Sequence, residues 1–211
     1  MDRQQSHFSA ILSRLRYIDR WALMRNARTE NLSEHSLEVA MIAHLLCVIG
    51  NVRHARRLDA NRAALVGMYH DVAEIITGDM PTPVKYANGH IRDAYRDVET
   101  AAKERLLDTL PADLRPTFVE TLATGEGEAD QYLARLVKAA DKLSALIKCI
   151  DEDQSGNAEF KTAEESIRAK VGKMAAQMPE VADFVADGFV VALDGGQGAE
   201  VFAAEDEVRF V

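Results

Sequence analysis

The sequence predicts an all-α, single-domain protein, and three observations support this fold class. Apolar residues recur at spacings of three and four in one stretch after another, and almost no stretch shows the alternation typical of a strand. The 211 residues are 47% hydrophobic and 28% charged, which suffices for one substantial core. No internal repeat and no change of composition separates two domains.

Composition also argues against several classes of protein. The formal net charge of −9 disfavours a nucleic acid polymer as partner, and the arginines within residues 53–57 are interpreted as a solvated helix end. Cys47 and Cys149 fall in apolar helical patterns, which predicts buried thiols rather than a disulfide framework. The N-terminus lacks an apolar signal core, and no apolar run approaches about 18 residues, so we expect a cytoplasmic protein without a membrane span.

The first predicted element is an amphipathic helix that begins at Phe8 and ends near Asp19. Its apolar residues are spaced by three and four: Phe8, Ile11, Leu12, Leu15 and Ile18. The segment from Trp21 to Asn31 has no clear period and combines arginines with the only tryptophan. This composition predicts an ordered loop that can bind an anionic ligand.

Asn31 or Ser33 is predicted to cap the second helix, which runs to about Gly50. The predicted inner face consists of Leu37, Ala40, Met41, His44, Leu45 and Val48, although His44 is also interpreted as a packing or surface residue. His35 falls in the first turn, where the helix dipole disfavours an imidazolium. A neutral, metal-binding imidazole is therefore the natural state at that position.

The third helix is predicted to begin near Asp59 or Ala60 and to continue to the stop at residues 77–78. It would carry His70, Asp71 and Glu74 in its last turns. Because positions i and i+4 lie one turn apart, Glu74 is expected on the same helix face as His70.

Five further helices are predicted, at about residues 91–110, 114–124, 131–151, 159–178 and 181–193. Asp141 intrudes on the apolar face of the third of these, between Val137 and Ala145. A carboxylate buried there costs several kcal/mol unless it is paired or bound to a metal. Residues 194–211 are interpreted as a Gly-rich and acidic tail that follows a domain spanning residues 1–193.

Two imidazoles and two carboxylates from three helices form a mixed nitrogen and oxygen donor set. His35, His70, Asp71 and Asp141 would suit a divalent cation such as Co, Mn, Fe, Ni, Zn or Cu, with open positions for metal-assisted hydrolysis. Other interpretations are a helix-start residue bonded to solvent for His35, a core histidine for His70, and an ion-pair partner for Asp141.

These residues follow the H…HD…D order and resemble the HD-domain metal-dependent phosphohydrolases, which implies an HD-domain helical bundle. The surrounding sequence closely resembles the bacterial 5'-deoxynucleotidases of the YfbR type. The resemblance rests on Arg20-Trp21, Met24-Arg25-Asn26, Arg28-Thr29-Glu30-Asn31, Ser33-Glu34-His35-Ser36-Leu37, Met68-Tyr69-His70-Asp71, Thr77-Gly78-Asp79, Pro81-Thr82-Pro83-Val84-Lys85-Tyr86, Val137-Lys138-Ala139-Ala140-Asp141, Ile147-Lys148-Cys149 and Gly156-Asn157 with Glu159-Phe160.

The resemblance implies hydrolysis of deoxyribonucleoside 5'-monophosphates, a divalent metal cofactor and a homodimer. Glu74 is the expected proton donor to the leaving group. Arg20 would neutralise the phosphate, with less support for Lys85. The remaining substrate contacts are expected from the metal ligand His35 and from the turn formed by Asp79, Met80, Pro81 and Thr82.

Two of these roles have alternatives. Asp79 could position the sugar, share in proton transfer or simply cap a turn. Trp21 could exclude a 2'-hydroxyl by leaving it no room and no partner, or it could anchor the first helix to the core.

Two other functions remain open on the sequence. The first keeps the metal chemistry but changes the substrate to (p)ppGpp or a deoxynucleoside triphosphate. The second is a non-catalytic nucleotide- or metal-binding module. Few basic residues near the site argue against a triphosphate, and Glu74 beside a complete ligand set argues against a binding module.

Overall fold

Helices supply the regular structure of the computed structural model, which describes residues 6–123, 125 and 127–188. A bridge between Asp19 and Asn31 closes the loop that separates the first two long segments. These observations confirm the all-α, single-domain fold. The helices are α1 (Phe8–Leu12), a 3-10 helix (Ser13–Tyr17), α2 (Leu32–Arg53), α3 (Ala60–Tyr69), α4 (Glu74–Thr77), α5 (Thr82–Lys85), α6 (Gly89–Leu107), α7 (Arg115–Leu122), α8 (Glu128–Gln154), a second 3-10 helix (Ala158–Phe160), α9 (Lys161–Ala175) and α10 (Pro179–Ala186).

Helix α2 lies at the centre of the main hydrophobic cluster, in contact with α3, α8 and α10. Gly67 permits the close approach of α3 to α2, because a Cβ atom there would lie 2.9 Å from Ala40 Cα. Cys47 and Cys149 are buried, free thiols in this cluster, as predicted.

A second, smaller cluster joins α1, α4 and α6. It contains Phe8, Val72, Ile75 and Leu106. The segment at residues 70–73 therefore connects a helix of the main cluster to residues of the second cluster. This places the His-Asp doublet at the seam between the two.

Helix α2 is long and apolar enough to meet the length and hydropathy criteria for a membrane span. Its apolar window has a mean hydropathy of 1.5, and 56% of that window is buried inside the protein. Because α2 packs against α3, α8 and α10, we interpret it as the central core helix.

The predicted first helix is shorter than expected. It ends at Leu12, and residues 13–17 continue as a 3-10 helix. Ser13 Oγ donates to the Ala10 carbonyl at 2.7 Å, and Arg16 Nε donates to the Ser13 carbonyl at 2.9 Å. Both side chains donate hydrogen bonds to backbone carbonyls three residues earlier, the same spacing as the backbone bonds of a 3-10 helix.

The predicted inner face of α2 was partly wrong, although its cap at Asn31 was right. Asn31 Oδ1 accepts from the backbone of Ser33 at 3.0 Å and of Glu34 at 3.1 Å, and the helix runs three residues past Gly50. Ala40 is buried, but Leu37 is 55% exposed, Met41 is 58% exposed and His44 is also exposed. Apolar residues surround most of α2, so periodicity could not identify the solvent side.

The predicted continuous third helix is instead interrupted. Helix α3 ends at Tyr69, residues 70–73 form a turn, and α4 begins at Glu74. His70 and Glu74 are therefore not a helical i, i+4 pair. The backbone bonds from His70 to Gly67 and from Val72 to Tyr69 span three residues, and His70 Nδ1 also bonds the Gly67 carbonyl.

The later helices agree with the sequence to within a few residues at most ends. The helix predicted at residues 159–178 begins with a 3-10 turn that precedes α9. The turn predicted after Asp79 contains the short helix α5. The predicted last helix begins two residues earlier and ends at Ala186. The proposed tail at 194–211 lies outside the described residues.

Candidate metal centre and substrate site

The four side chains predicted as metal ligands come together where α2, α8 and the turn after α3 meet. One ligand atom from each of His35, His70 and Asp71 lies within 4.8 Å of the other two. Asp141, from the middle of α8, places Oδ1 3.3 Å from His35 Nε2. Asp71 Oδ2 is 3.7 Å from the same nitrogen. Residues far apart in sequence thus form one donor group.

Both histidines are oriented for metal binding. His70 Nδ1 lies 2.7 Å from the Gly67 carbonyl oxygen, and His35 Nδ1 lies 3.0 Å from Ser144 Oγ. A carbonyl oxygen only accepts, so His70 carries a proton on Nδ1, and Nε2 is the nitrogen that would bind a metal. Nε2 of each ring is buried without a hydrogen-bond partner among the described residues. Two such nitrogens beside carboxylates fit a divalent cation.

A hydrogen-bond chain behind His35 was missed from the sequence. Ser144 Oγ donates to Glu38 Oε2 at 2.6 Å while it contacts His35 Nδ1. A carboxylate at the end of such a chain favours the proton on Nδ1 and leaves Nε2 for a metal. Spacing could have revealed both residues, since Glu38 and Ser144 each follow a predicted ligand by three positions on its helix.

The charges of the donor group favour a cation. His70 Nε2 is 2.8 Å from Asp71 Oδ2, a close ionic contact whose geometry is not that of a hydrogen bond. Burial alone would raise the pKa of Asp71 and lower that of His70, but their mutual attraction reverses both shifts. Burial would also raise the pKa of Asp141, yet His35 and Lys142 hold it well below its usual value. Both carboxylates are therefore ionised.

Arg20, predicted to bind phosphate, lies beside this centre and is partly paired. Its Nη1 donates to Glu30 Oε2 at 3.0 Å, and its Nε is 4.0 Å from Asp79 Oδ2. Burial alone would lower the pKa of Arg20, but the carboxylates of Glu30, Asp141 and Asp79 raise it. Nε is buried and makes no hydrogen bond within the described part of the chain. The guanidinium therefore keeps an unused donor.

Trp21 is held by contacts on several sides. Its backbone adopts a φ of 60°, its Nε1 donates to Glu30 Oε2 at 2.8 Å, and its ring centroid is 5.3 Å from that of Phe160. These contacts accord with the anchoring alternative. They also keep the half-buried ring next to Arg20, where a substrate sugar could meet it.

Glu30 was not identified from the sequence, although it connects the parts of the site. It is 8% exposed, it accepts from both Arg20 and Trp21, and its Oε1 is 3.7 Å from His35 Nδ1. A glutamate one residue before a helix cap has no distinctive pattern. Only the fold reveals that it lies next to His35, a predicted metal ligand.

Glu74 occupies an apolar position at the start of α4. It is 5% exposed, and its Oε2 is buried without a hydrogen-bond partner in the described chain. Burial, reinforced by the charges of Asp71 and Asp79, raises the pKa of Glu74 to about 9. This carboxyl group therefore carries a proton at neutral pH.

The predicted nucleotide turn lies between α4 and α5. Burial raises the pKa of Asp79, whereas Arg20 opposes that shift. Met80 and Pro81 are half-buried, and Thr82 is exposed at the start of α5. The structure thus brings Asp79 to Arg20 and leaves the rest of the turn accessible.

Lys85, the least supported candidate, is engaged elsewhere. Its Nζ donates to Glu99 Oε1 at 2.7 Å and lies 4.7 Å from the centroid of the Tyr95 ring. A lysine paired in this way contributes less free charge to a phosphate.

A buried polar network beneath the loop at residues 21–31 was also missed. Glu152 is 1% exposed and accepts from the backbone of Ala27 at 2.7 Å and of Arg28 at 3.2 Å. Asn157 Nδ2 donates to it at 2.6 Å, and Lys148 donates both to Glu152 and to the Arg28 carbonyl. The network fixes the middle of this loop, which has Trp21 and Glu30 near its two ends and Arg20 just before it.

The fold is shared with solved HD-domain phosphohydrolases. The crystal structure of an HD-domain phosphohydrolase from Listeria innocua matches with a TM-score of 0.76 at 22% identity, over 92% of each chain. The HD phosphohydrolase DatZ of cyanophage S-2L, solved with dA and one catalytic Zn2+, matches with a TM-score of 0.61 at 19% identity, over 90% of this chain and 96% of that one.

Comparison with known sequences identifies the family to which the chain belongs. The family model for 5'-deoxynucleotidase YfbR-like proteins matches residues 7–191. The 5'-deoxynucleotidase YfbR of Photorhabdus temperata is 43% identical over 190 residues, which cover 90% of this chain and 95% of that protein. The chain belongs to the YfbR-like 5'-deoxynucleotidase family, and the resemblance drawn from its motifs is confirmed.

Proposed function

We propose that the protein is a metal-dependent 5'-deoxynucleotidase that hydrolyses deoxyribonucleoside 5'-monophosphates to the deoxynucleoside and phosphate. The observation that carries this proposal is the pair of orphaned Nε2 atoms on His35 and His70, which lie beside two ionised carboxylates and the guanidinium of Arg20. Family membership gives the substrate class.

His35, His70, Asp71 and Asp141 would hold the cation. A bound divalent ion supplies a Lewis acid for a phosphate oxygen and lowers the pKa of a water molecule. Nitrogen and oxygen donors suit Co, Mn, Fe, Ni, Zn or Cu, and we favour cobalt or another borderline ion because the donor set contains no thiolate. Glu38, Ser144 and the Gly67 carbonyl would keep both imidazoles in the tautomer that binds a metal.

Arg20 binds the phosphate, using Nε and the geometry fixed by Glu30. Glu74 then donates its proton to the 5'-oxygen as the phosphorus–oxygen bond breaks, so the deoxynucleoside leaves as an alcohol. The attacking water contributes a hydroxyl group to the phosphate and releases one proton to solvent, from which Glu74 regains its own before the next turnover. Asp79 positions the sugar, with Met80, Pro81 and Thr82 as further contacts.

Trp21 selects for deoxyribose in this proposal. Its ring is fixed by Glu30 and Phe160, so it cannot move aside for a 2'-hydroxyl or offer it a hydrogen bond. Trp21→Ala should lower the ratio of deoxy to ribo turnover by about tenfold, the usual scale for one excluded polar group. An unchanged ratio, with the protein folded, would assign Trp21 to anchoring alone.

The decisive experiment is phosphate release from all common ribo- and deoxyribonucleoside 5'- and 3'-monophosphates, measured across a metal panel after chelation. We expect turnover of deoxyribonucleoside 5'-monophosphates, lost on chelation and restored by a divalent ion. Turnover of only 3'-monophosphates, or none with any metal, would overturn the proposal. Deoxynucleoside triphosphates and (p)ppGpp in the same panel distinguish the alternative substrates.

We also propose a cytoplasmic homodimer. Exposed apolar residues such as Leu37 and Met41 on α2 support a partner surface of this kind. Light scattering of the purified protein should give twice the mass of one chain. A monomer at micromolar concentration would contradict this part of the proposal.

A further inference from the structure

The positive charge around the metal centre is almost fully neutralised by carboxylates. Asp71 and Asp141 together match the charge of one divalent cation. Two neighbouring cations have carboxylate partners of their own, Arg20 with Glu30 at 3.0 Å and Lys85 with Glu99 at 2.7 Å. A third, Lys142, lies 2.8 Å from Asp141 and shares that carboxylate with the metal site. A dianionic phosphate at this centre therefore meets little uncompensated positive charge.

A pocket of about 210 Å³ adjoins the centre and supplies two cations without such partners. His70 and Asp141 line it, together with Lys103 of α6 and Lys138 of α8. Within the described residues, neither lysine makes a hydrogen bond or an ion pair. Two lysines thus line a cavity that is also lined by two of the predicted metal ligands.

The pocket is separate from the residues assigned to the nucleotide. Neither Arg20 nor Trp21 nor Asp79 contributes to its lining. Its other walls are mainly apolar and include Val66, Leu122 and Val137. Apolar walls lower the local dielectric constant and strengthen the attraction between an ammonium group and an anion.

We propose that this pocket is an oxyanion subsite for phosphate, with Lys103 and Lys138 as its cationic donors. This inference rests on the proposed function, since it assigns the charge that a phosphate dianion requires at that site. The oxyanion is either the phosphoryl group of the bound substrate, which the lysines would then share with Arg20, or the inorganic phosphate released from it. Both sources present the same tetrahedral oxygens to the two lysines.

Direct binding tests the subsite without turnover. Equilibrium dialysis with radiolabelled inorganic phosphate is performed on the metal-loaded wild-type protein and on the Lys103→Met/Lys138→Met variant. We expect phosphate to bind the variant on the order of 100-fold more weakly, about tenfold for each charge-assisted hydrogen bond lost. Rising salt should weaken binding more steeply in the wild type than in the variant.

Matched variants separate this effect from altered folding or metal loss. Lys103→Arg/Lys138→Arg keeps both charges and should retain phosphate binding. Lys170→Met removes an exposed lysine of α9 and should bind phosphate as the wild type does. Metal analysis of each variant should give the wild-type content, because none of these lysines is a ligand. Equal phosphate affinity in the double methionine variant and the wild type would overturn the subsite.

Kinetics distinguish the two sources of the oxyanion. A higher KM for the nucleotide in the double methionine variant assigns the subsite to the substrate phosphoryl group. Weaker inhibition by inorganic phosphate at unchanged KM assigns it to the released product. If the wild type binds phosphate but hydrolyses no nucleotide, the proposed function fails while the subsite stands.

Discussion

At the scale of single residues, Glu74 shows how burial gives a carboxyl group a different chemistry from its neighbours. Asp71 is ionised because His70 lies beside it, whereas Glu74 lacks a cationic partner that close and has a pKa of about 9. Two carboxyl groups three positions apart thus hold opposite protonation states. One can bind a cation while the other donates a proton.

Glu74→Gln should reduce kcat at pH 7 by at least about 100-fold, because an amide cannot supply the proton that the leaving oxygen needs. Metal content, measured on the same sample, should not change. Glu165→Gln, an exposed change on α9, serves as the control. Wild-type kcat in the Glu74 variant would remove this residue from the mechanism.

Ser144 acts at the same scale through His35. Ser144→Ala breaks the chain from Glu38 to His35 Nδ1, so the imidazole loses its fixed tautomer. We expect metal affinity to fall by about 10- to 100-fold, as for other residues that orient a metal ligand. Competition with a chromophoric chelator measures this affinity directly.

Ser155→Ala, at the exposed end of α8, is the matched serine control and should bind metal normally. If Ser144→Ala lowered only thermal stability and left metal affinity intact, Ser144 would be a packing residue rather than a positioning residue.

At the scale of elements, α8 both holds Asp141 and fixes the loop that presents Arg20 and Trp21. Glu152 of α8 accepts hydrogen bonds from two backbone N–H groups of that loop, from the Asn157 side-chain amide and from Lys148. Burial alone would raise the pKa of Glu152, but Lys148 and these donors lower it from 4.5 to about 2. The carboxylate therefore stabilises the folded protein only while it is ionised.

Glu152→Gln should destabilise the protein at pH 7 by about 3 kcal/mol, because Lys148 stays buried without its partner. The folded-state pKa is lowered, so the wild type holds this stability above pH 4.5 and loses it as the pH falls towards 2. The difference in the free energy of unfolding between the variant and the wild type, measured by urea denaturation, should decrease over that pH range. Asp153→Asn, the exposed neighbour, should show little effect. A difference independent of pH would contradict the ionic role.

The break after α3 is a second feature at this scale. Hydrophobic spacing continues through the turn because Val72 and Ile75 are buried, yet they belong to the second cluster rather than the first. The hydrophobic pattern thus predicted one continuous helix, although the chain passes from the main hydrophobic cluster to the second one at this point. The break presents His70 and Asp71 from a turn, where both side chains can reach His35.

At the scale of the whole molecule, the site occupies the seam between two hydrophobic clusters, and the family match ends at residue 191. The proposed tail at 194–211 is therefore expected to contribute little to fold or catalysis. A chain ending at residue 193 should keep the wild-type melting temperature and kcat, measured by calorimetry and phosphate release.

A chain ending at Met178 is the matched control. It lacks α10, which buries Val181 and Phe184 in the main cluster, and should melt at a much lower temperature. Loss of activity on removal of residues 194–211 alone would show that the domain extends beyond residue 193.

Local spacing and motif residues were enough to predict the all-α class, the cap at Asn31 and the family, because these features are encoded within short segments. Tertiary structure alone decided the solvent side of α2, the end of α3, and the roles available to Glu30, Glu38, Ser144 and Glu152. Each of these depends on contacts between segments distant in sequence. Hydrophobic periodicity identifies the buried face of a helix that packs on one side, whereas α2 packs against α3, α8 and α10. The role of a buried polar side chain depends on the partner that the fold brings to it.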